Sequence, residues 1–141
     1  MKIFLDTSIL FKLYHYEMGA EEIDNLFTHH KINVVFLSEI TKIEFSSTVW
    51  KKVRGNEITL QEAQGIIGKF KNDFGKFTFV EMDNIVVEQA QYLIEKYGKE
   101  GLRTLDSIQL STAVLLKNQL DLCKTADQLL SKLFISEKLP V

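Results

Sequence analysis

The sequence predicts an α/β fold with a mainly parallel sheet. Two observations predict it. Short apolar runs rich in Val, Phe and Ile alternate with longer segments of helical character, which is the pattern of βαβ units. The only proline, Pro140, lies at the end of the chain, so nothing interrupts the helices.

Four runs read as strands: Lys2–Asp6, Asn33–Leu37, Lys76–Val80 and Leu122–Thr125. Between them, Ser8–Tyr16, Ala20–Thr28, Glu39–Val53, Thr59–Asn72, Asn84–Tyr97 and Thr104–Lys117 read as helices. Ser38 and Thr59 stand at N-cap positions, and Glu62 follows Thr59 by three residues, as in a capping box. Gly98 after Lys96-Tyr97 reads as a helix stop.

The 141 residues fit one domain at about 150 residues per domain. A hydrophobic share of 45% and a charged share of 26% suit a folded core and argue against disorder. One cysteine excludes an internal disulfide and a cysteine-based zinc site. No apolar run approaches the roughly 20 residues of a membrane span. Asp6 cuts the first apolar stretch too early for a signal peptide. The expectation is a cytoplasmic protein. With 19 acids against 17 bases, the net charge of −2 gives no support for a broad electrostatic grip on nucleic acid, so any such role needs a local site.

Parallel sheets bind ligands at the carboxyl ends of their strands, and acids stand there. Asp6 ends the first strand, as a helix N-cap or as a site residue. Asp127 follows the fourth strand. There, Thr125 capping the last helix, with Asp127 favouring its positive end, is the simpler reading. Asp106 opens a helix apolar on most sides and shares a face with Leu110 and Ala113, where an acid is costly unless paired or metal-bound. On a helical wheel, Ile40, Ile43, Phe45, Val49, Trp50 and Val53 fill one arc of the helix from Glu39. Glu44 lies in the other with Thr41, Thr48 and Lys51, and reads by itself as a solvated acid. Acids gathered at a sheet mouth repel one another, and a divalent cation removes that cost. An all-oxygen set suits Mg²⁺ or Mn²⁺.

At these residues the chain resembles the PIN-domain ribonucleases, in particular the VapC-type toxins of toxin–antitoxin pairs. The resemblance is carried in order by Leu5-Asp6-Thr7-Ser8 with Lys12-Leu13-Tyr14, by Ser38 to Glu44, by Leu102 to Leu110 around Asp106, and by Thr125-Ala126-Asp127. It implies a single three-layer α/β/α domain over residues 1–141, with a sheet of four to five strands. It implies endonucleolytic cleavage of RNA, leaving 5′-phosphate and 3′-hydroxyl ends, with one or two Mg²⁺ or Mn²⁺ ions. Asp6 and Asp106 would then be the principal ligands, with Glu44 and Asp127 completing the cluster directly or through water and Ser8 beside the metal. It also implies a VapB-like antitoxin that blocks the acidic mouth, and a homodimer. Gln109 departs from the pattern, since relatives often carry His there.

Among the cations, Arg103, one turn before Asp106, and Lys12, about one turn beyond Ser8, are the candidates for substrate phosphates. The groups Lys51-Lys52-Val53-Arg54 and Lys69, Lys71 and Lys76 read as solvated faces. His29-His30 reads as a polar helix end. Phe70, Phe74, Phe77 and Phe79 read as core, Cys123 as a small buried hydrophobe, and Trp50 as core or a dimer contact. Two other function classes compete. One is a non-catalytic PIN-like module that binds RNA or protein. The other is phosphoryl transfer through an aspartyl intermediate at Asp6, for which a second Asp is expected where Ser8 stands.

Overall fold

The computed structural model describes residues 1–141. Four strands, β1 (Lys2–Leu5), β2 (Val34–Ser38), β3 (Thr78–Val80) and β4 (Leu122–Lys124), form one sheet. Seven α-helices accompany them: α1 (Thr7–Phe11), α2 (Ala20–His29), α3 (Thr41–Arg54), α4 (Leu60–Asn72), α5 (Asn84–Tyr97), α6 (Thr104–Leu116) and α7 (Gln128–Ser136). The order across the sheet is β3-β2-β1-β4 and every pairing is parallel. No helix is long and apolar enough to cross a membrane.

Side chains alternate along a strand, so each strand feeds two cores. Ile3, Leu5, Val35 and Leu37 face one side, where they meet Ile9, Leu10, Phe11, Ile23, Phe45 and Phe70 from α1 to α4. Phe4, Phe36 and Cys123 face the other, against Leu93, Leu110, Leu130 and Phe134 from α5, α6 and α7. The result is three layers, helix–sheet–helix. Burial pushes the Cys123 thiol up to about 12, so it stays protonated and packs as a small hydrophobe. Phe70 is buried, and Phe74, Phe77 and Phe79 pack against the same core, with the Phe45 and Phe70 centroids 4.1 Å apart. His29 ends α2 and His30 caps it.

Several sequence expectations shift. The first helix ends at Phe11 rather than Tyr16, because the Lys12 ammonium folds back onto Glu17 and the Met18 carbonyl and closes the following turn. Gly19 then starts α2 from φ +87°, a conformation glycine adopts without strain. Ser38 is not an N-cap: it ends β2, its hydroxyl accepts the Ile40 N–H at 3.3 Å, and the helix begins at Thr41. The α5 chain runs through Gly98 into a 3₁₀ turn and stops at Gly101, φ +98°. The buried stripe of α3 is Thr41, Phe45 and Val49, at i, i+4 and i+8, which leaves Ile43 68% and Trp50 40% exposed. No separate fifth strand forms. The Cys123 N–H instead donates to the Pro140 carbonyl at 2.6 Å.

The capping box at Thr59 is complete. Glu62 N–H donates to Thr59 Oγ1 at 3.1 Å, and Thr59 N–H to Glu62 Oε1 at 3.2 Å. Thr59→Ala is expected to lower stability by about 1 kcal/mol, read as a fall in the urea midpoint at unchanged slope.

Candidate active site at the carboxyl edge of the sheet

β1 is the strand at which the sheet order reverses, since its chain neighbour β2 lies on one side and β4 on the other. Ligands of open parallel sheets bind at such a point. Asp6 follows β1 and Asp127 follows β4, so both stand there. β2 leads into α3 and Glu44, and α6 brings Asp106.

Asp6 is 4% exposed. It caps α1 through Oδ1, which accepts the Ile9 N–H at 3.1 Å, and it also lines a polar cleft. Ser8 Oγ lies 2.7 and 2.9 Å from its two oxygens, and Thr125 Oγ1 donates to Oδ2 at 2.7 Å. Burial pushes its carboxyl up to about 6, against these hydrogen bonds, and the charge of Glu44 adds to the rise. Ser8 also accepts the Ala126 N–H at 2.9 Å, which ties the ends of β1 and β4 together.

Glu44 is half-buried and shares with Asp6 a polar cleft of about 280 Å³. Its Oε1 accepts from Thr7 Oγ1 at 3.0 Å and Gln109 Nε2 at 2.7 Å. It therefore faces the cleft, not bulk solvent as the wheel alone suggests. Asp106 is half-buried and lines a second depression rather than the cleft of Asp6 and Glu44. Burial, then the charges of Asp127 and Glu44, push its carboxyl up, against the pull of Arg103. Asp127 is exposed and caps α7, accepting the Leu130 N–H at 2.7 Å. Thr125 is not that cap. Its hydroxyl accepts the Asp127 N–H at 3.0 Å and serves Asp6.

Lys12 lines the same cleft, with its ammonium 3.2 Å from Glu17. Arg103 does not. It lies with Thr104, Leu105 and Asp106 at an adjoining depression. Lys52, read from sequence as part of a solvated face, lines the cleft and bridges Glu17 at 3.2 Å and Glu57 at 3.1 Å. The spacing Glu44–Thr48–Lys52 along one face of α3 is the signal that finds it. Thr7, Thr41 and Thr125 carry no comparable signal.

The donors fit a hard divalent cation in kind: all are oxygens, and Asp6 and Asp106 each feel the charge of Glu44. They do not present a preformed cage. No three carboxylates stand close enough to hold one ion together. Mg²⁺ is commonly held by one or two carboxylates and completes its shell with water. The larger cavity, about 410 Å³, lies at the opposite end of the sheet among Leu13, Phe27, Ile32 and Phe77. The only acid in its lining, Asp73, is paired with Tyr14 and Lys76.

The PIN domain model matches residues 3–133. The chain belongs to the PIN-domain family. Solved structures with similar folds include VapC20 of Mycobacterium tuberculosis, described as a sarcin–ricin loop cleaving toxin. It has a TM-score of 0.68 at 16% identity, over 93% of this chain and 94% of that one. FitAcB from Neisseria gonorrhoeae gives 0.69 at 16% identity, over 99% and 95%. A toxin–antitoxin complex from Klebsiella pneumoniae gives 0.59 at 21%, over 85% and 82%. No curated protein matches the chain by sequence. At these identities the neighbours share the fold of this PIN domain, and its site chemistry rests on its own residues.

Proposed function

We propose that this PIN domain is a divalent-cation-dependent endoribonuclease that acts as a toxin. The observation that carries the reading is Asp6. It is a carboxylate buried at the carboxyl end of the central strand, facing the charge of Glu44 in a polar cleft, in a chain of this family. Asp6 and Asp106 would hold Mg²⁺ or Mn²⁺, one ion or two, with Glu44 and Asp127 joining directly or through water. When bound, the cation activates water and stabilises charge on a phosphoryl oxygen. Ser8 and Thr125 hold the Asp6 carboxylate in place. Lys12 and Lys52 on the cleft wall, and Arg103 beside Asp106, meet the phosphates of the RNA on either side of the cleavage point. Contact through these few cations implies a shallow salt dependence of binding.

The same reading assigns a VapB-like antitoxin as partner, a homodimeric state and a cytoplasmic place of action. The toxin–antitoxin complex among the structural neighbours supports the first of these. The alternative reading is a PIN-like module that binds RNA or protein without cutting.

One experiment separates the two. Total RNA is incubated with the protein and Mg²⁺ or Mn²⁺, and in parallel with excess EDTA. Discrete fragments are expected only with cation. Intact RNA in both lanes, with retention of RNA on a filter, is the outcome of a binding module. Equal degradation in both lanes overturns cation dependence.

A further inference from the structure

We propose that Gln109 is a positioning residue whose buried amide aims Glu44 into the acidic cleft and thereby sets the affinity of the site for a divalent cation. The inference rests on the cation-dependent reading above. Gln109 is 2% exposed and lies on α6, one turn after Asp106. Its Nε2 stands 2.7 Å from Glu44 Oε1, 3.0 Å from Thr41 Oγ1 and 3.1 Å from Thr7 Oγ1. Its Oε1 is buried and has no hydrogen-bond partner.

That unpartnered oxygen is informative. Turning the amide over would let Oε1 accept from the two threonine hydroxyls, but it would set one acceptor against another at Glu44. The carboxylate therefore dictates which way the amide faces, with Nε2 toward Glu44 and Oε1 away from it. Thr7 donates to the same carboxylate oxygen at 3.0 Å, so both protein donors act on Oε1 and leave Oε2 without a protein partner in the cleft. The same turn of α6 that carries Asp106 thus also fixes Glu44 on α3, so the two acids take their places together. Residues that orient metal ligands typically change metal affinity 10–100-fold when removed.

The test is a double-mutant cycle read as Mn²⁺ affinity, by paramagnetic resonance of free Mn²⁺, on the full chain, with thermal midpoints measured alongside. Gln109→Met is expected to weaken Mn²⁺ binding about 10-fold or more at a lowered midpoint, since it removes the donor that Glu44, Thr41 and Thr7 share. In a Glu44→Gln background the same substitution is expected to cost nothing further. Wild-type affinity in Gln109→Met, or an equal loss in both backgrounds, overturns the proposal. Should Gln109→Met fail to fold, Gln109→Asn, which withdraws the amide by one methylene, is read in the same cycle. Wild-type protein that takes up no Mn²⁺ at millimolar concentration overturns the cation-dependent reading itself, and this inference with it.

Discussion

Asp6→Asn is expected to reduce RNA cleavage by about 10³-fold or more, with the fold intact. A cation that activates water and stabilises charge is worth several kcal/mol of transition-state energy, and each 1.36 kcal/mol is a factor of ten. Asparagine keeps the shape of the side chain. Its Oδ1 can still accept the Ile9 N–H and the Ser8 hydroxyl, and its Nδ2, where Oδ2 stood, can donate to Thr125 Oγ1, so the start of α1 stays capped. What it removes is the charge that binds the ion. Asp106→Asn is expected to act in the same direction. The measurement is the rate of fragment appearance at saturating Mg²⁺, with circular dichroism as the control for folding. Cleavage by either variant at the wild-type rate would place the chemistry elsewhere.

The second large effect is on stability. The Asp6 carboxyl sits at about 6 in the folded protein and near 3.9 in an unfolded chain. Between these values the folded state holds a proton that the unfolded state has released, so stability falls as pH rises from about 4 through about 6 and then levels. The full difference is about 3 kcal/mol, or roughly 10 °C in midpoint for a chain of this size. Asp106 is shifted in the same direction by burial and by the charges of Asp127 and Glu44. Asp73, held low by Lys76 and Tyr14, pulls the opposite way, so the comparison needs a variant. Without added cation, wild type is expected to melt lower at pH 7.5 than at pH 5, and Asp6→Asn to lose most of that slope. Mg²⁺ at 100 times its Kd is expected to return about 2.7 kcal/mol at pH 7.5, and nothing in Asp6→Asn. A melting temperature indifferent to Mg²⁺ would remove the cation from the reading.

The fold was largely legible because each strand is a compact apolar run and each long helix has its own periodicity. Ile3, Phe4, Val35 and Phe36 mark the sheet directly. Asp6 was legible by its place at a strand end. Glu44 was not. The wheel of its helix groups Ile43 and Trp50 with the core, whereas α3 packs by a narrow stripe that includes a threonine. Thr41 is buried because Gln109, 68 residues away, meets it there. Contacts between residues so distant leave no trace in local pattern. The same holds for Thr125, which reads locally as a cap and serves a carboxylate 119 residues away. Lys52 was within reach, one turn beyond Thr48 on the face of Glu44, yet its basic neighbours Lys51 and Arg54 made it look like ordinary solvated charge.

The bond from the Cys123 N–H to the Pro140 carbonyl bears on self-association. β4 is an outer strand, and such a strand offers unpaired backbone groups on which another chain can template itself. Here the donor in the middle of β4 is already engaged, and Leu139 lies buried alongside it. At the opposite border β3 spans three residues, too short to recruit a long partner strand. The sheet is thus guarded against growth by edge-to-edge pairing, and any contact between two copies of this chain falls to its helices.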